Sequence, residues 1–216
     1  YQLPAVLLDG VTLVISPLIA LMQDQVLALK ANGITAEALN SHCSAEEERA
    51  VRVAVEERRL ALLYVSPERA LSPGFLRWIR LQPVRQVAID EVHCVSIWGN
   101  DFRKDYRELS TLIEQLPAGV PVVALTATAD PGTRVDILRQ LRLPDCETFV
   151  ASFERPNIHV EVYPATDRVQ AIKTYLRENP GQPGIIYCLS RKSTEELAAK
   201  LRQHGIRARH YHARVD

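Results

Sequence analysis

Two adjacent carboxylates, Asp90 and Glu91, follow the apolar run Val87-Ala88-Ile89, and His93 stands two residues beyond them. Such a run suits a strand buried on both faces of a parallel sheet. In open α/β sheets the groups that do chemistry collect at the carboxyl ends of strands, which is where this acidic pair falls. One carboxylate there can hold Mg²⁺ beside the phosphates of a nucleotide, and its neighbour can orient or deprotonate the attacking water. On this reading Asp90 takes the metal and Glu91 the water, while His93 hydrogen-bonds a polar group across the sheet. Residues 94–106 then interleave Trp98, Phe102 and Tyr106 with Asp101, Arg103, Lys104 and Asp105. A plain strand ending in solvated acids also accounts for Asp90 and Glu91, but not for an aromatic and charged loop behind them. The chemistry suggested is nucleotide hydrolysis.

The elements that must position these groups follow from periodicity and punctuation. Residues 11–15 (VTLVI) read as a β-branched strand, and residues 18–30 as a helix stopped near Gly33. Residues 34–39 suit a short edge strand. Over 44–59 a charged helix is expected, with Ser44 three residues before Glu47 in capping-box spacing. Residues 60–65 (LALLYV) form a buried strand, followed by Ser66-Pro67-Glu68-Arg69, where Arg69 meets either a phosphate or a surface acid. Residues 121–125 (PVVAL) are the strand after the acidic stretch. Thr126 and Thr128 behind it reach His93 if the two strands are neighbours, and Asp130-Pro131 starts a helix.

The alternation breaks at 149–157 and then resumes. Residues 158–163 alternate like a strand, 168–178 are helical, and 184–189 (GIIYCL) read as a buried strand. A helix over 194–204 ends at Gly205, and 206–212 form a last strand. Ser190 and Arg191 place a hydroxyl and a guanidinium at a helix start, which suits a phosphate. His210 and His212 share one strand face, as a metal pair would. With no third ligand in view, they read as ordinary histidines.

Asp90-Glu91-Val92-His93 resembles the DExH box of superfamily 2 helicases, and residues 94–106 resemble the aromatic-rich loop that marks the RecQ family of DNA helicases. That family's pattern is close to A-H-C-I-S-Q-W-G-H-D-F-R-P-x-Y. Trp98, Gly99, Asp101, Phe102, Arg103 and Tyr106 match it, while Val92 stands for Ala, Ile97 for Gln and Asn100 for His. Residues 16–26 resemble motif Ia, 66–69 motif Ib, 126–129 motif III and 190–193 the start of motif IV. Ser152-Phe153-Glu154-Arg155-Pro156-Asn157 resembles the linker between helicase lobes. Near the end, Arg214 stands where the family has Gly.

The resemblance implies an α/β, P-loop NTPase (RecA-like) fold, with a parallel sheet flanked by helices. Residues 1–150 would be a partial first lobe, 151–157 the linker and 158–216 the start of a second lobe. It implies an ATP-dependent 3′-to-5′ DNA helicase that couples hydrolysis to duplex unwinding in repair and recombination. ATP and Mg²⁺ would be its cofactors, zinc would enter only in a further C-terminal part, and single-stranded and duplex DNA would be its partners. A cytoplasmic, nucleoid-associated setting in a bacterium goes with this. Asp90, Glu91, His93, Thr126 and Thr128 would serve hydrolysis and its coupling to lobe movement, with Mg²⁺ on Asp90. Ser16, Gln23, Arg69, Trp98, Phe102, Arg103, Arg155, Asn157, Ser190 and Arg191 would contact DNA.

Composition sets outer limits. At 216 residues and 47% hydrophobic content the chain suits one large or two small globular domains. No apolar run approaches the ~20 residues of a membrane span. Cys43, Cys94, Cys146 and Cys188 are scattered and read as reduced thiols. Net charge is zero, yet residues 1–150 carry 15 Lys/Arg against 19 Asp/Glu and residues 151–216 carry 11 against 7. The second part is thus the more basic, as a polyanion-facing lobe would be. None of the nine glycines precedes a lysine, so the sequence holds no G-x-x-x-x-G-K-[ST] phosphate loop. These residues alone are therefore expected to hydrolyse ATP slowly or not at all. A DNA-binding module without turnover and an unrelated metal-dependent hydrolase using Asp90, Glu91 and His93 are the competing readings.

Overall fold

The computed structural model describes residues 1–96, 104–152, 155–164 and 167–213. Its contacts divide the chain into two units, Tyr1–Phe149 and Val150–Asp216. The first unit runs α1 (Gln2–Ala5), β1 (Val11–Ile15), α2 (Ile19–Ala31), β2 (Ala36–Leu39), α3 (Ala45–Glu56), β3 (Leu62–Val65), α4 (Pro67–Ala70), α5 (Pro73–Ile79) and β4 (Val84–Ile89). A 3-10 turn (Val92–Val95), α6 (Lys104–Arg107), α7 (Leu109–Gln115), β5 (Val122–Ala124) and α8 (Pro131–Gln140) complete it.

The five strands form one parallel sheet in the order β2-β3-β1-β4-β5. Parallel neighbours need crossovers, and the helices between strands supply them. Those helices bury both faces of the central strand. Alternation of side chains along a strand sends Leu13, Ile15, Leu63, Val65, Val87 and Ile89 into one core, against residues of α3, α5, α7 and α8. Val14, Leu62, Tyr64 and Ala88 enter the other, against Ala5 of α1 and Met22, Val26 and Leu29 of α2. Every residue of β1 is buried, four of them apolar, and the Thr12 hydroxyl donates to Gln86 Oε1 at 3.4 Å.

Local signals fix the ends. Ser44 Oγ accepts the Glu47 N–H at 3.2 Å while Glu47 Oε2 accepts the Ser44 N–H at 2.8 Å, so the expected capping box forms. Asp130 caps α8 by accepting the Thr133 N–H at 2.9 Å, which holds its carboxyl below the usual carboxylate range. Gly10 turns the chain into β1 at φ +151°, and a Cβ there would stand 2.3 Å from the Pro83 carbonyl oxygen. Only glycine fits both demands.

The second unit holds α9 (Arg168–Glu178) and α10 (Arg191–Gln203). Helix α10 starts three residues before the expected position, because Ser190 and Ser193 form a capping box. The strands expected at 158–163, 184–189 and 206–212 are not present: no ladder involves them among the described residues. Their apolar side chains are uncovered, with Val162 93%, Tyr187 91% and Leu189 101% exposed. Alternating or apolar residues make a strand only when a neighbouring backbone accepts its N–H and C=O groups, and these three runs do not pair with one another. Among the described residues, no helix is long and apolar enough to cross a membrane.

Candidate functional site

Three strand ends come together around the acidic pair. The Asp90 N–H donates to the Ile15 carbonyl at 2.8 Å, Leu125 N–H to Ile89 O at 2.8 Å, and Val92 N–H to Leu125 O at 2.9 Å. The chain leaving β4 is thereby stitched to β1 on one side and to the end of β5 on the other. Glu91 turns it sharply, in the left-handed region at φ 48° and ψ 42°. A residue with a Cβ pays about 1–2 kcal/mol for that conformation, and it persists where surrounding bonds over-determine it. Here the Glu91 N–H donates to Asp90 Oδ1 at 3.0 Å, and the Asp90 carbonyl accepts the Tyr106 hydroxyl at 2.9 Å.

His93 bridges the acidic turn to the next strand. Its Nδ1 lies 2.9 Å from Thr126 Oγ1 and 3.2 Å from Glu91 Oε2. The contact with Thr126 is a hydrogen bond, and the Glu91 carboxylate stands within ion-pair range of the same nitrogen. The Thr126 hydroxyl then donates to the Thr128 carbonyl at 3.1 Å and accepts the Thr128 N–H at 3.1 Å. Strands β4 and β5 are neighbours, as the reach from Thr126 to His93 requires. Thr128 takes part through its backbone, where a side-chain contact to His93 was expected.

The donor set suits a hard cation. Among the described residues no three His, Cys, Asp or Glu side chains gather into a metal cage. Mg²⁺ does not need one, since it is commonly held by one or two carboxylates together with waters and substrate phosphates. Asp90 commits Oδ1 to the Glu91 N–H and leaves Oδ2 as a hard oxygen donor at the strand end. The residues present fit that mode of binding.

The residues expected to contact DNA are distributed unevenly. Gln23, Arg155, Asn157, Ser190 and Arg191 are exposed. Ser16 is only 1% exposed, and its buried hydroxyl has no hydrogen-bond partner among the described residues. It directly follows the fully buried β1, and its N–H donates to the Val65 carbonyl at 3.1 Å. Arg69 is half-buried and ion-paired with Glu48, which also holds Arg52 at 2.7 Å. A surface acid was one of the two partners expected for it, and Glu48 fills that place. Ser190 Oγ is engaged as the cap of α10, accepting the Ser193 N–H at 3.1 Å. His212 pairs with Glu195 at 2.8 Å, and its ring stacks on His210. Trp98, Phe102 and Arg103, with Ile97, Asn100 and Arg214, lie outside the described residues.

Two partnerships were missed by sequence reasoning. Tyr106 is matched as part of the loop but given no role, although a buried tyrosine requires a partner for its hydroxyl. Tyr64 was read as a simple strand residue. Its hydroxyl accepts the Gln2 amide at 3.1 Å, which also donates to Gln25 at 2.7 Å. Burial and a hydrogen bond to Tyr64 push the Tyr1 hydroxyl pKa well above the ordinary tyrosine value, with the Asp90 charge adding to the effect. Polar atoms on α1, α2 and β3 thus converge behind the acidic strand end. A tyrosine in an otherwise aliphatic run was the available signal.

A parallel sheet flanked by helices, with an acidic pair and a histidine bridge at its strand ends, defines a RecA-like α/β domain of the helicase type. Residues 1–136 match the DEAD/DEAH box helicase family, and the chain belongs to it. It is 44% identical over 216 residues to the ATP-dependent DNA helicase RecQ of Haemophilus influenzae, covering 100% of this chain and 35% of that protein. It is 43% identical over 229 residues to the ATP-dependent DNA helicase Q-like 2 of Arabidopsis thaliana, covering 100% of this chain and 32% of that protein. The chain is therefore a partial homologue of RecQ-type helicases and spans about a third of the length of these curated relatives. Among solved structures it is similar to the DUF1998 helicase MrfA, with a TM-score of 0.63 at 17% identity over 91% of this chain and 32% of that one. It is also similar to the Mycobacterium smegmatis helicase Lhr bound to ssDNA and AMP-PNP, with a TM-score of 0.57 at 18% identity over 96% of this chain and 31% of that one. At those identities the structural likeness speaks for the fold.

Proposed function

We propose that this chain is the part of an ATP-dependent 3′-to-5′ DNA helicase of RecQ type that carries the water-activating acids and the start of a second lobe. The observation that carries the reading is the Asp90-Glu91 turn at the end of β4, bridged by His93 to Thr126 at the end of β5. The names of the curated relatives support the activity, and the domain division 1–150, 151–157 and 158–216 belongs to the same reading. In it, Asp90 holds Mg²⁺, which supplies charge neutralisation at the phosphates when bound. Glu91 orients and deprotonates the attacking water. His93 holds the Glu91 carboxylate and the β5 end in one network, so a displacement of either is felt by the other. Gln23, Arg155, Asn157, Ser190 and Arg191 are available to DNA phosphates, and Trp98, Phe102 and Arg103 would stack on or pair with a single strand. Work in repair and recombination, in a bacterial cytoplasm, goes with this reading.

Phosphoryl transfer depends on positioned cationic and N–H groups around the phosphates, and this sequence contains no phosphate loop to supply them. Residues 1–216 alone are expected to hydrolyse ATP slowly or not at all. The same feature motivates the second reading, a DNA-binding module without turnover. The test uses the complete polypeptide that carries this chain. Single-stranded DNA should stimulate its ATP hydrolysis, and Glu91→Gln should reduce kcat by at least about 10²-fold while leaving DNA affinity within a factor of about two. DNA binding without stimulated hydrolysis would replace the motor with the binding module.

A further inference from the structure

Tyr106 lies on α6, 16 residues beyond Asp90, and is completely buried. Helix α6 packs against the 3-10 turn that follows the acidic pair, and against α4 and α7. The Tyr106 ring joins the core formed with Ile89, Val92, Val95, Leu109 and Leu112. Its hydroxyl meets the backbone of the acidic turn, donating to the Asp90 carbonyl at 2.9 Å.

The peptide unit between the two acids is therefore held at both ends. Tyr106 holds the carbonyl and Asp90 Oδ1 holds the N–H. This unit sets the direction of both carboxylates at once, because Asp90 precedes it and Glu91, in its left-handed conformation, follows it. Rotation of the peptide would relieve Glu91 and swing the two side chains apart.

We propose that Tyr106 is a positioning residue: its hydroxyl locks the Asp90–Glu91 peptide so that one carboxylate faces the metal and the next faces the attacking water. This rests on the hydrolytic role proposed above and adds a residue to it. Tyr106 touches neither nucleotide nor water. It acts through the backbone of the residues that do.

The substitution Tyr106→Phe keeps the ring in its core and removes only the hydroxyl. In the complete polypeptide it is expected to lower kcat for DNA-stimulated ATP hydrolysis about tenfold, as misdirection of a catalytic group does. Mg²⁺-dependent binding of a non-hydrolysable ATP analogue should weaken several-fold, while binding measured without Mg²⁺ stays unchanged and the thermal midpoint falls by only a few degrees, as the loss of one buried hydrogen bond requires. Leu112→Val, in the same core, is the control for loosened packing. The proposal is overturned if Tyr106→Phe leaves kcat and the Mg²⁺-dependent affinity unchanged. It is also overturned if Leu112→Val reproduces both losses at an equal drop in thermal midpoint. If the unsubstituted polypeptide shows no DNA-stimulated hydrolysis, the hydrolytic role fails first, and the positioning role falls with it.

Discussion

The two units answer the same kind of sequence in opposite ways. In the first, aliphatic runs such as VTLVI and LLYV become strands with no exposed residue. In the second, GIIYCL is at least as apolar, yet it carries no ladder and Leu189 stands fully in solvent. Helices form equally well in both, because their hydrogen bonds are local and their caps are written nearby. What separates the units is the supply of partners. The first sheet has a neighbour for each strand and a helical layer on each face, and its strand ends can therefore be aligned to hold chemistry. Catalytic geometry of this kind needs a finished sheet.

That contrast can be broken by substitution. The largest effect is expected at the centre of the sheet, where Leu13→Ala should cost about 2–5 kcal/mol of unfolding free energy. The matching Leu189→Ala in the second unit should stay within about 0.5 kcal/mol. Urea titration with hydrogen exchange read separately for each unit checks both. Equal losses would mean that the second unit is as tightly packed as the first.

A smaller effect sharpens the account of the strand ends. Thr126→Val keeps the side-chain volume and deletes the hydroxyl that His93 Nδ1 approaches. It should cost about 1 kcal/mol of stability and slow hydrolysis in the complete polypeptide more than it weakens DNA binding. Paired kinetic and binding measurements decide this. The smallest effect concerns Arg69, which Glu48 now holds. Glu48→Gln removes the competing carboxylate and should tighten single-stranded DNA binding by roughly 2- to 5-fold at low salt, the worth of a partly exposed ion pair. The gain should fade as salt is raised. No gain at any salt concentration would place the DNA path away from α4.

Much of the first unit was legible in the chain because its signals are local. The Ser44 and Glu47 pair, Asp130-Pro131 and the β-branched run at 11–15 each specify an element within a few residues. The acidic pair at a strand end was legible for the same reason: a buried run followed at once by carboxylates places them at the sheet's carboxyl edge. The link between His93 and Thr126 was conditional, since it required β4 and β5 to be adjacent. The strands expected at 158–163, 184–189 and 206–212 failed because an apolar pattern states what a strand would bury and does not state what it would pair with.

The sequence by itself determined helices α2, α3, α8 and α9, the capping box of α3, the start of α8 and the identity of the acids. All of these rest on interactions within a turn or two of chain. Tertiary structure alone decided the order β2-β3-β1-β4-β5, the burial of Ser16, the capture of Arg69 by Glu48 and the left-handed turn at Glu91. It also brought the Tyr106 hydroxyl to the Asp90 carbonyl. Each of these depends on groups far apart in the chain, whose meeting is set by which faces and edges find partners. Spacing in a sequence can propose such meetings, and packing selects among them.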